Sequence, residues 1–334
     1  MMAQRVVFTR PGVAELETFD VPAPANGEVS VRALYSLMSI GTELTILHQR
    51  YSPDSHFARR FKFPQLKTGV QCVAEIESVG EGVTEFRPGE RIFMRMAHCS
   101  RWTLPAIACS PVPRAADPRS ACWAGLAKTA FRAAFAAKFA LGGNVLIVGA
   151  GPVGQMLVRW ANAAGMSDIV VVDQSQRRLR LAAQGACCRT VCGSIEDAKG
   201  QLLAGSGANG FDIVVDTTGN ATVFHAALPM VANFGCCVLL GDTGYPEKQH
   251  LSSEVMTRGL TIVATHDHHD RGGWTQRAID RVFFKLLLDG RFSVDDLITH
   301  EFPPTRCAEA YALADQHRQD VLGIVFDWTA FEGG

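Results

Sequence analysis

A short glycine-rich segment near the middle of the chain constrains its fold more than any other feature. The segment Gly149–Gly154, which reads GAGPVG, directly follows the apolar run Asn144–Val148. Beyond it, apolar residues keep the i, i+3, i+4, i+7 spacing of a helix packed on a sheet, namely Val153, Met156, Leu157, Trp160, Ala161 and Ala164. A buried strand, a tight glycine turn and an amphipathic helix in this order predict a β-α-β unit with parallel strands.

The same alternation continues towards the carboxyl terminus. The apolar run Ile169–Val172 ends in Asp173 and predicts the next strand. Further helices are predicted over residues 176–184, 195–203 and 222–231, and further strands over residues 213–216, 237–240 and 259–264. This repeated alternation predicts an α/β fold with a doubly wound parallel sheet.

The first third of the chain has the pattern of β structure without intervening helices. Apolar residues recur at every second position in Val29, Val31, Ala33 and Tyr35, which predicts a half-buried strand. Frequent turn signals such as Asn26-Gly27 and Pro88-Gly89 predict many short strands in a small barrel or sandwich. An alanine-rich helix is then predicted over residues 120–140, and a helix and a strand are predicted near residues 307–316 and 323–326.

Length and composition narrow the class of protein. A chain of 334 residues corresponds to about two domains. Because 32 Lys and Arg residues balance 33 Asp and Glu residues, nucleic acid is not expected as the main partner. The sequence has neither an apolar run of membrane-spanning length nor an export signal, so we expect a cytoplasmic protein without a membrane partner. No two of the ten cysteines form a C-x2-C pair, which argues against a cysteine metal site.

The glycine-rich segment also predicts a ligand. In a G-x-G-x-x-G turn, Gly149 allows the tight bend, Gly151 lets a pyrophosphate approach the backbone, and Gly154 lets helix and strand pack closely. Pro152 suits the first helical turn, whose free N–H groups and dipole favour phosphate. Asp173, nineteen residues after Gly154, is typical of a carboxylate that accepts the ribose 2′-OH of NAD.

The choice between NAD(H) and NADP(H) depends on the residues after this carboxylate. Asp173 would repel a 2′-phosphate, whereas Arg177 and Arg178 follow closely and could bind one. The spacing of Asp173 from the glycines favours NAD(H) over NADP(H). The sequence therefore predicts a dinucleotide-binding domain.

Several segments resemble the medium-chain dehydrogenase/reductase superfamily, which includes zinc alcohol dehydrogenases and quinone oxidoreductases. Residues Gly80–Ile92 resemble its G-x-x-V-x-x-F-x-x-G-D-R-V signature, and Val215–Gly219 and Leu297–His300 also match. The resemblance implies a GroES-like catalytic domain of residues 1–118 and 291–334, with a Rossmann domain of residues 119–290 inserted into it. It also implies that Thr129, Val153 and Thr217 contact the cofactor, and that a small-molecule substrate binds between the domains.

The zinc ligands of that superfamily are missing from this sequence. The resemblance places the three ligands of the catalytic zinc at Ile40, Val70 and Gly125. These side chains cannot ligate zinc, so we predict a protein without zinc. Residues Ser39–Glu43 and Gly69–Gln71 are most similar to zinc-lacking members related to bacteriochlorophyllide a dehydrogenase.

Without zinc, another group must assist the movement of a proton. Thr42 lies where the resemblance places a proton-relay hydroxyl, but it could equally cap the segment after the strand. Glu43 could relay protons if burial raised its pKa, or it could bind backbone N–H groups at a helix start. Lys128 could donate a proton beside Thr129, although a solvated lysine is the more common case.

The segment His266–Asp270, which reads HDHHD, is the densest group of metal-ligand side chains in the sequence. It could bind a metal or contact the substrate. Its position after a predicted edge strand favours a solvated loop instead.

Together these features predict a zinc-independent NAD(H)-dependent oxidoreductase of the EC 1.1.1 type. It would transfer hydride between nicotinamide and a secondary alcohol or ketone in a biosynthetic or secondary-metabolic pathway. The alternatives are an NADPH-dependent quinone or enone reductase and a catalytically silent dinucleotide-binding protein. The predicted edge strand near Leu260–Ala264 would pair with its symmetry mate, so we expect a homodimer.

Overall fold

The computed structural model describes residues 1–204 and 210–331. In these residues the strands are β1 (Met2–Arg10), β2 (Val13–Asp20), β3 (Glu28–Leu37), β4 (Leu66–Lys67), β5 (Cys72–Val79), β6 (Arg91–Met94), β7 (Arg101–Pro105), β8 (Ser110–Pro111), β9 (Asn144–Val148), β10 (Asp168–Asp173), β11 (Arg189–Cys192), β12 (Phe211–Asp216), β13 (Val231–Leu239), β14 (Thr261–Ala264), β15 (Ile298–Phe302) and β16 (Gly323–Asp327). The α-helices are α1 (Ile40–Leu47), α2 (His56–Arg60), α3 (Pro118–Ala121), α4 (Ala124–Ala136), α5 (Pro152–Ala163), α6 (Gln176–Gly185), α7 (Lys199–Ala204), α8 (Ala221–Ala227), α9 (Glu254–Thr257), α10 (Gln276–Leu288) and α11 (Cys307–Gln316).

The second half of the chain builds the predicted doubly wound sheet. Its six parallel strands lie in the order β11-β10-β9-β12-β13-β14, so the order reverses between β9 and β12. The side chains of β9 from Val145 to Val148 are buried, as expected for a strand covered on both faces. The predicted α/β fold class with a Rossmann sheet is therefore confirmed.

Two predicted helices of this half have different bounds in the structure. The helix predicted over residues 222–231 ends at Ala227, and a 3-10 turn at Leu228–Met230 leads into β13. Pro229 explains this early end, because it has no backbone N–H to donate to the carbonyl four residues before it. The helix predicted over residues 195–203 begins only at Lys199.

A second sheet combines strands from both ends of the chain. Its order is β15-β16-β3-β5-β6-β8, with β7 also paired to β3, and a smaller sheet has the order β2-β1-β4. The prediction that β3 is half-buried is wrong, since even Ser36 is fully buried. Leu34 and Leu37 belong to the core shared with α4 and the parallel sheet, whereas Val31 and Ala33 belong to the core of the second sheet. Strand β3 therefore separates two apolar cores and is covered on both faces.

The alanine-rich segment forms the contact between the two sheets. Instead of one helix over residues 120–140, the structure has α3 and α4, with Trp123 between them. Helix α4 packs against α5, where the Trp160 indole N–H donates to the Ala127 carbonyl at 2.8 Å. The small alanine side chains allow this close approach. Among the described helices, none is long and apolar enough to cross a lipid bilayer.

Candidate functional site

The glycine turn joins the carboxyl end of β9 to the start of α5. Gly149 has a φ of +96°, a left-handed conformation that favours glycine. A Cβ atom at Gly154 would lie 2.0 Å from the Gly149 carbonyl oxygen, whereas a Cβ atom at Gly151 would meet nothing within 4 Å. Pro152 is the first residue of α5, and Val153 follows it on the partly exposed first turn. The turn thus has a closed side towards the sheet and an open side at the helix N-terminus, where an anion can bind.

Thr217 and Asp173 contact the turn from β12 and β10, the two strands on either side of β9. The Thr217 hydroxyl, just after β12, donates to the carbonyls of Val148 at 2.9 Å and Gly149 at 3.1 Å. The Asp173 carboxylate, at the end of β10, accepts the Ala150 N–H at 2.7 Å and the Ser175 N–H at 2.7 Å. The carboxylate therefore lies directly beside the turn, where a bound ribose would meet it.

Arg177 and Arg178 are engaged by backbone carbonyl groups. The Arg178 guanidinium donates to the carbonyl of Val321 at 3.0 Å and to that of Arg318, and Arg177 donates to that of Asp320 at 2.8 Å. Burial lowers the pKa of Arg178, and the nearby Asp173 raises it by less. Arg178 would have to give up these bonds to bind a cofactor phosphate, which speaks against the cofactor contact predicted for it.

Lys128 lies on α4 in a buried ion-pair cluster, and the expectation that it is solvated is wrong. Only 5% of the residue is exposed, and its Nζ lies 2.9 Å from Asp267 Oδ1. Arg95 pairs with the other oxygen of the same carboxylate. Burial, followed by the charge of Arg95, lowers the pKa of Lys128 despite the opposing effect of Asp267. The adjacent Thr129 donates its hydroxyl to the Gly125 carbonyl at 3.1 Å.

Thr42 lies partly exposed in the first turn of α1, whose N-cap residue is Ser39. Thr42 is thus not the cap of this helix. Its neighbour Glu43 points into the protein and is only 2% exposed. Glu43 accepts the Ser39 backbone N–H at 2.6 Å, which is the structural alternative predicted for it.

Glu43 is also the centre of a buried polar network that the sequence did not indicate. Its Oε2 accepts hydrogen bonds from the hydroxyls of Tyr311 at 2.5 Å and Thr68 at 2.8 Å, and lies 3.2 Å from His98 Nε2. The other ring nitrogen of His98 lies 2.7 Å from Ser36 Oγ. These contacts join α1, β3, α11 and the loop after β6, and no local pattern signals them.

The pKa of Glu43 argues against the proton-relay role considered for it. Burial raises this pKa, but His98, through its charge and hydrogen bond, and the bonds from Tyr311 and Ser39 outweigh burial. The net pKa is lowered, which is opposite to the shift that a relay would need. These contacts therefore support a structural role for the Glu43 carboxylate.

The segment His266–Asp270 follows β14 and is held at the surface by ion pairs. Asp267 pairs with Lys128 and Arg95, and Asp270 pairs with Arg132. His268 Nε2 lies 3.2 Å from an Arg60 nitrogen. The segment is a loop, as expected, and His269 and Asp270 are exposed on it. The expectation missed that buried cations of α4 pair with both of its carboxylates.

The positions that correspond to zinc ligands do not fit a metal ion. Ile40 is buried in the apolar core of the second sheet. Gly125 packs against Gln71, whose side chain would lie 2.8 Å from a Cβ atom at Gly125 and accepts the Leu126 N–H at 2.8 Å. With Val70 as the third residue, this set contains no donor side chain.

Comparison with known proteins agrees with this fold. A family model described as "Zinc-binding dehydrogenase" matches residues 152–282. L-threonine 3-dehydrogenase of Bacillus subtilis (strain 168) is 32% identical over 163 residues, which is 48% of this chain and 45% of that protein. This match spans about half the length of the relative. D-guloside 3-dehydrogenase of Escherichia coli (strain K12) is 23% identical over 351 residues, covering 97% of this chain and all of the relative.

A solved structure extends the likeness to the whole fold. An alcohol dehydrogenase of Escherichia coli CFT073, determined in complex with NADH, superposes with a TM-score of 0.82 at 18% identity, covering 98% of this chain and 99% of that one. The relatives agree with the predicted class of dehydrogenases that act on alcohols. The family model and these relatives agree with the resemblance of the sequence to the medium-chain dehydrogenase/reductase superfamily.

Proposed function

We propose that the protein is an NAD(H)-dependent oxidoreductase that transfers hydride between nicotinamide and a small-molecule secondary alcohol or ketone. The observation that carries this proposal is the glycine turn, open at Gly151 and bordered by the Asp173 carboxylate. In sheets of this kind a dinucleotide lies across the carboxyl ends of the strands at the point where their order reverses. Substrate would then bind in the cleft beyond the nicotinamide.

The proposed preference for NAD(H) over NADP(H) rests on charge. The Asp173 carboxylate would accept a ribose hydroxyl and repel a 2′-phosphate. Arg178, the nearest candidate to neutralise such a phosphate, already donates to two backbone carbonyl groups. A phosphate would therefore meet an unfavourable charge and no free guanidinium from Arg178.

The proposed reaction does not use the catalytic zinc of the superfamily, because Ile40, Val70 and Gly125 offer no ligands. Among the predicted groups, Thr42 and Lys128 stay candidates for proton transfer, whereas Glu43 does not. A buried lysine with a lowered pKa transfers a proton more readily near neutral pH than a solvated lysine does.

The first test is a titration of the purified protein with NADH and with NADPH, followed by nicotinamide fluorescence. We expect NADH to bind at least about 10-fold more tightly, which corresponds to about 1.4 kcal/mol. Tighter binding of NADPH would contradict the cofactor preference and favour the enone reductase. A panel of secondary alcohols with NAD⁺ then tests turnover, and binding without turnover of alcohols or enones would indicate a silent dinucleotide-binding protein.

The proton-transfer candidates are tested with any alcohol that this panel yields. The double variant Thr42→Ala/Lys128→Ala should lose turnover and keep NADH binding if either side chain transfers the proton. Unchanged turnover would remove both residues from the mechanism.

A further inference from the structure

Three side chains from distant parts of the chain meet in one small cluster. His56 begins α2, Asp242 follows β13 and His266 follows β14. His56 Nε2 lies 3.1 Å from Asp242 Oδ2, and His266 Nε2 lies 3.9 Å from the same oxygen. One possible ligand atom from each side chain lies within 4.8 Å of the other two. We call these residues the His-Asp-His cluster.

The cluster lies at the carboxyl edge of the parallel sheet, on the side away from Asp173. Asp242 and His266 follow two adjacent parallel strands, β13 and β14, and Asp173 follows β10 beyond the reversal of strand order. A dinucleotide that crosses this reversal with its adenosine ribose at Asp173 would have its nicotinamide on the side of β12 and β13. His56 reaches the same place from the segment between β3 and β4.

The neighbouring residues of the HDHHD segment make contacts outside the cluster, although the His268 ring also stacks on the His266 ring with 5.0 Å between centroids. Asp267 is held by Lys128 and Arg95, and His268 lies against Arg60. His269 Nδ1 accepts the His266 backbone N–H at 3.1 Å. Of the five residues, only His266 contributes to the cluster. The side chains of His56, Asp242 and His266 are between 36% and 43% exposed. The cluster is thus accessible to an ion from solvent.

We propose that the His-Asp-His cluster binds a divalent transition-metal ion such as Zn²⁺ or Co²⁺. Two imidazoles and one carboxylate are a ligand set that these ions accept, and three protein ligands leave a position open. Ligand atoms at ~2.0–2.1 Å from a tetrahedral ion lie roughly 3.4 Å apart, so only small side-chain shifts are needed from the observed separations. The cluster shares no residue with the superfamily positions Ile40, Val70 and Gly125.

Such a site would correct the prediction of a protein without zinc. An ion held there has an open position for an oxygen of the substrate, which it would polarise as a Lewis acid. That role rests on the proposed function, whereas binding of the ion does not.

The test is metal binding by the full-length protein after dialysis against a chelator. Zn²⁺ is titrated by calorimetry, and Co²⁺ is titrated by visible absorption, which reports coordination by nitrogen and oxygen. We expect about one ion per chain. Loss of an outer-shell partner typically weakens metal binding by about 10–100-fold. His56→Ala and His266→Ala should each weaken it by more than that, because each removes a ligand. His250→Ala, an exposed histidine outside the cluster, should leave the affinity unchanged.

Each other outcome would overturn the proposal. Absence of Co²⁺ absorption would indicate that His56 and Asp242 form only a hydrogen bond and that the cluster binds no ion. Equal losses in His56→Ala and His250→Ala would indicate unspecific binding. Thiolate-to-cobalt absorption in the near ultraviolet would indicate binding by exposed thiols such as Cys187. NADH titration of the same variants separates the metal-site proposal from the proposed function. A variant that loses metal binding but binds NADH as before has an intact cofactor site.

Discussion

At the scale of single residues, the two most instructive glycines differ in what surrounds them. Gly154 faces the Gly149 carbonyl oxygen so closely that no side chain fits, whereas Gly151 faces open space. Gly151 has a φ of −66° and a ψ of −177°, a conformation that any residue adopts. The absence of a side chain at Gly151 is therefore explained by a ligand and not by the fold.

This contrast predicts different effects of two substitutions. Gly151→Val should leave the free energy of unfolding within about 0.5 kcal/mol of the original protein and weaken NADH binding by at least about 10-fold, because the side chain would occupy the space of the pyrophosphate. The matched variant Gly154→Ala should lose stability as well, since its Cβ would clash with a backbone oxygen. Urea unfolding and NADH fluorescence measure both effects. Unchanged NADH binding in Gly151→Val would contradict the assigned cofactor site.

Glu43 leads to a second prediction at this scale. Its pKa in the folded protein is lowered from 4.5, so the carboxylate stabilises the fold at pH values above 4.5. This contribution is lost as the pH falls through the folded-state pKa. Glu43→Gln should therefore reduce the free energy of unfolding by about 1–3 kcal/mol at pH 7, and by less below pH 4.5. A difference in urea unfolding that does not depend on pH would contradict an ionised Glu43.

At the scale of elements, strand β8 meets helix α10 through a second buried carboxylate. Asp280 accepts the Ser110 hydroxyl at 2.7 Å and hydrogen bonds from Gln276 at 2.6 Å and 2.7 Å. Burial raises the pKa of Asp280 from 3.8 to about 6, although these hydrogen bonds lower it. The folded protein thus binds this proton more tightly than the unfolded chain does.

The raised pKa predicts a pH-dependent effect at this contact. As the pH rises from 3.8 through about 6, ionisation of Asp280 costs stability, and the cost is fully present above that range. Asp280→Asn removes this cost. The free energy of unfolding of the variant, relative to that of the original protein, should therefore be higher at pH 8 than at pH 4 by at most about 3 kcal/mol. Asp289→Asn, at the exposed end of α10, should show no such change. Thermal unfolding at both pH values checks this. If the stability of Asp280→Asn and of the original protein changed equally with pH, ionisation of Asp280 would be contradicted.

At the scale of the whole molecule, β14 is the exposed edge of the parallel sheet. Thr261 and Ala264 are exposed on it, and the apolar side chains of Phe234 and Met256 nearby are each 85% exposed. An open edge beside apolar side chains favours pairing with a second copy of the chain. The proposed homodimer would extend the sheet across a two-fold axis.

The dimer can be tested at this edge. We expect light scattering after size exclusion to give twice the chain mass of 36.2 kDa. Thr261→Lys/Ala264→Lys should give monomers, because lysines on an edge strand oppose pairing with their symmetry mates. Thr305→Lys/Ala308→Lys, two exposed positions before and within α11, adds the same charge and should leave the dimer intact. A monomer in the original protein would contradict the expected pairing.

The β-α-β units of the parallel sheet and the glycine turn were predicted correctly, because each depends on residues that are neighbours in the sequence. Residues 144–173 contain strand, glycines, helix and carboxylate in one stretch, and the predicted bounds of β9 agree with the structure. The GroES-like half was expected mainly from short motifs that resemble a family. Local periodicity there could not show that β3 is covered on both faces.

Which polar side chains meet could not be predicted, because these contacts form between residues far apart in the sequence. His56 and Asp242 are 186 positions apart, Lys128 and Asp267 come from different elements, and Glu43 binds Tyr311 from the far end of the chain. Such contacts arise when separate elements pack, and so they leave no local pattern in the sequence. Burial also sets the protonation of these groups, since desolvation and ion pairing depend on neighbours that only the folded chain brings together.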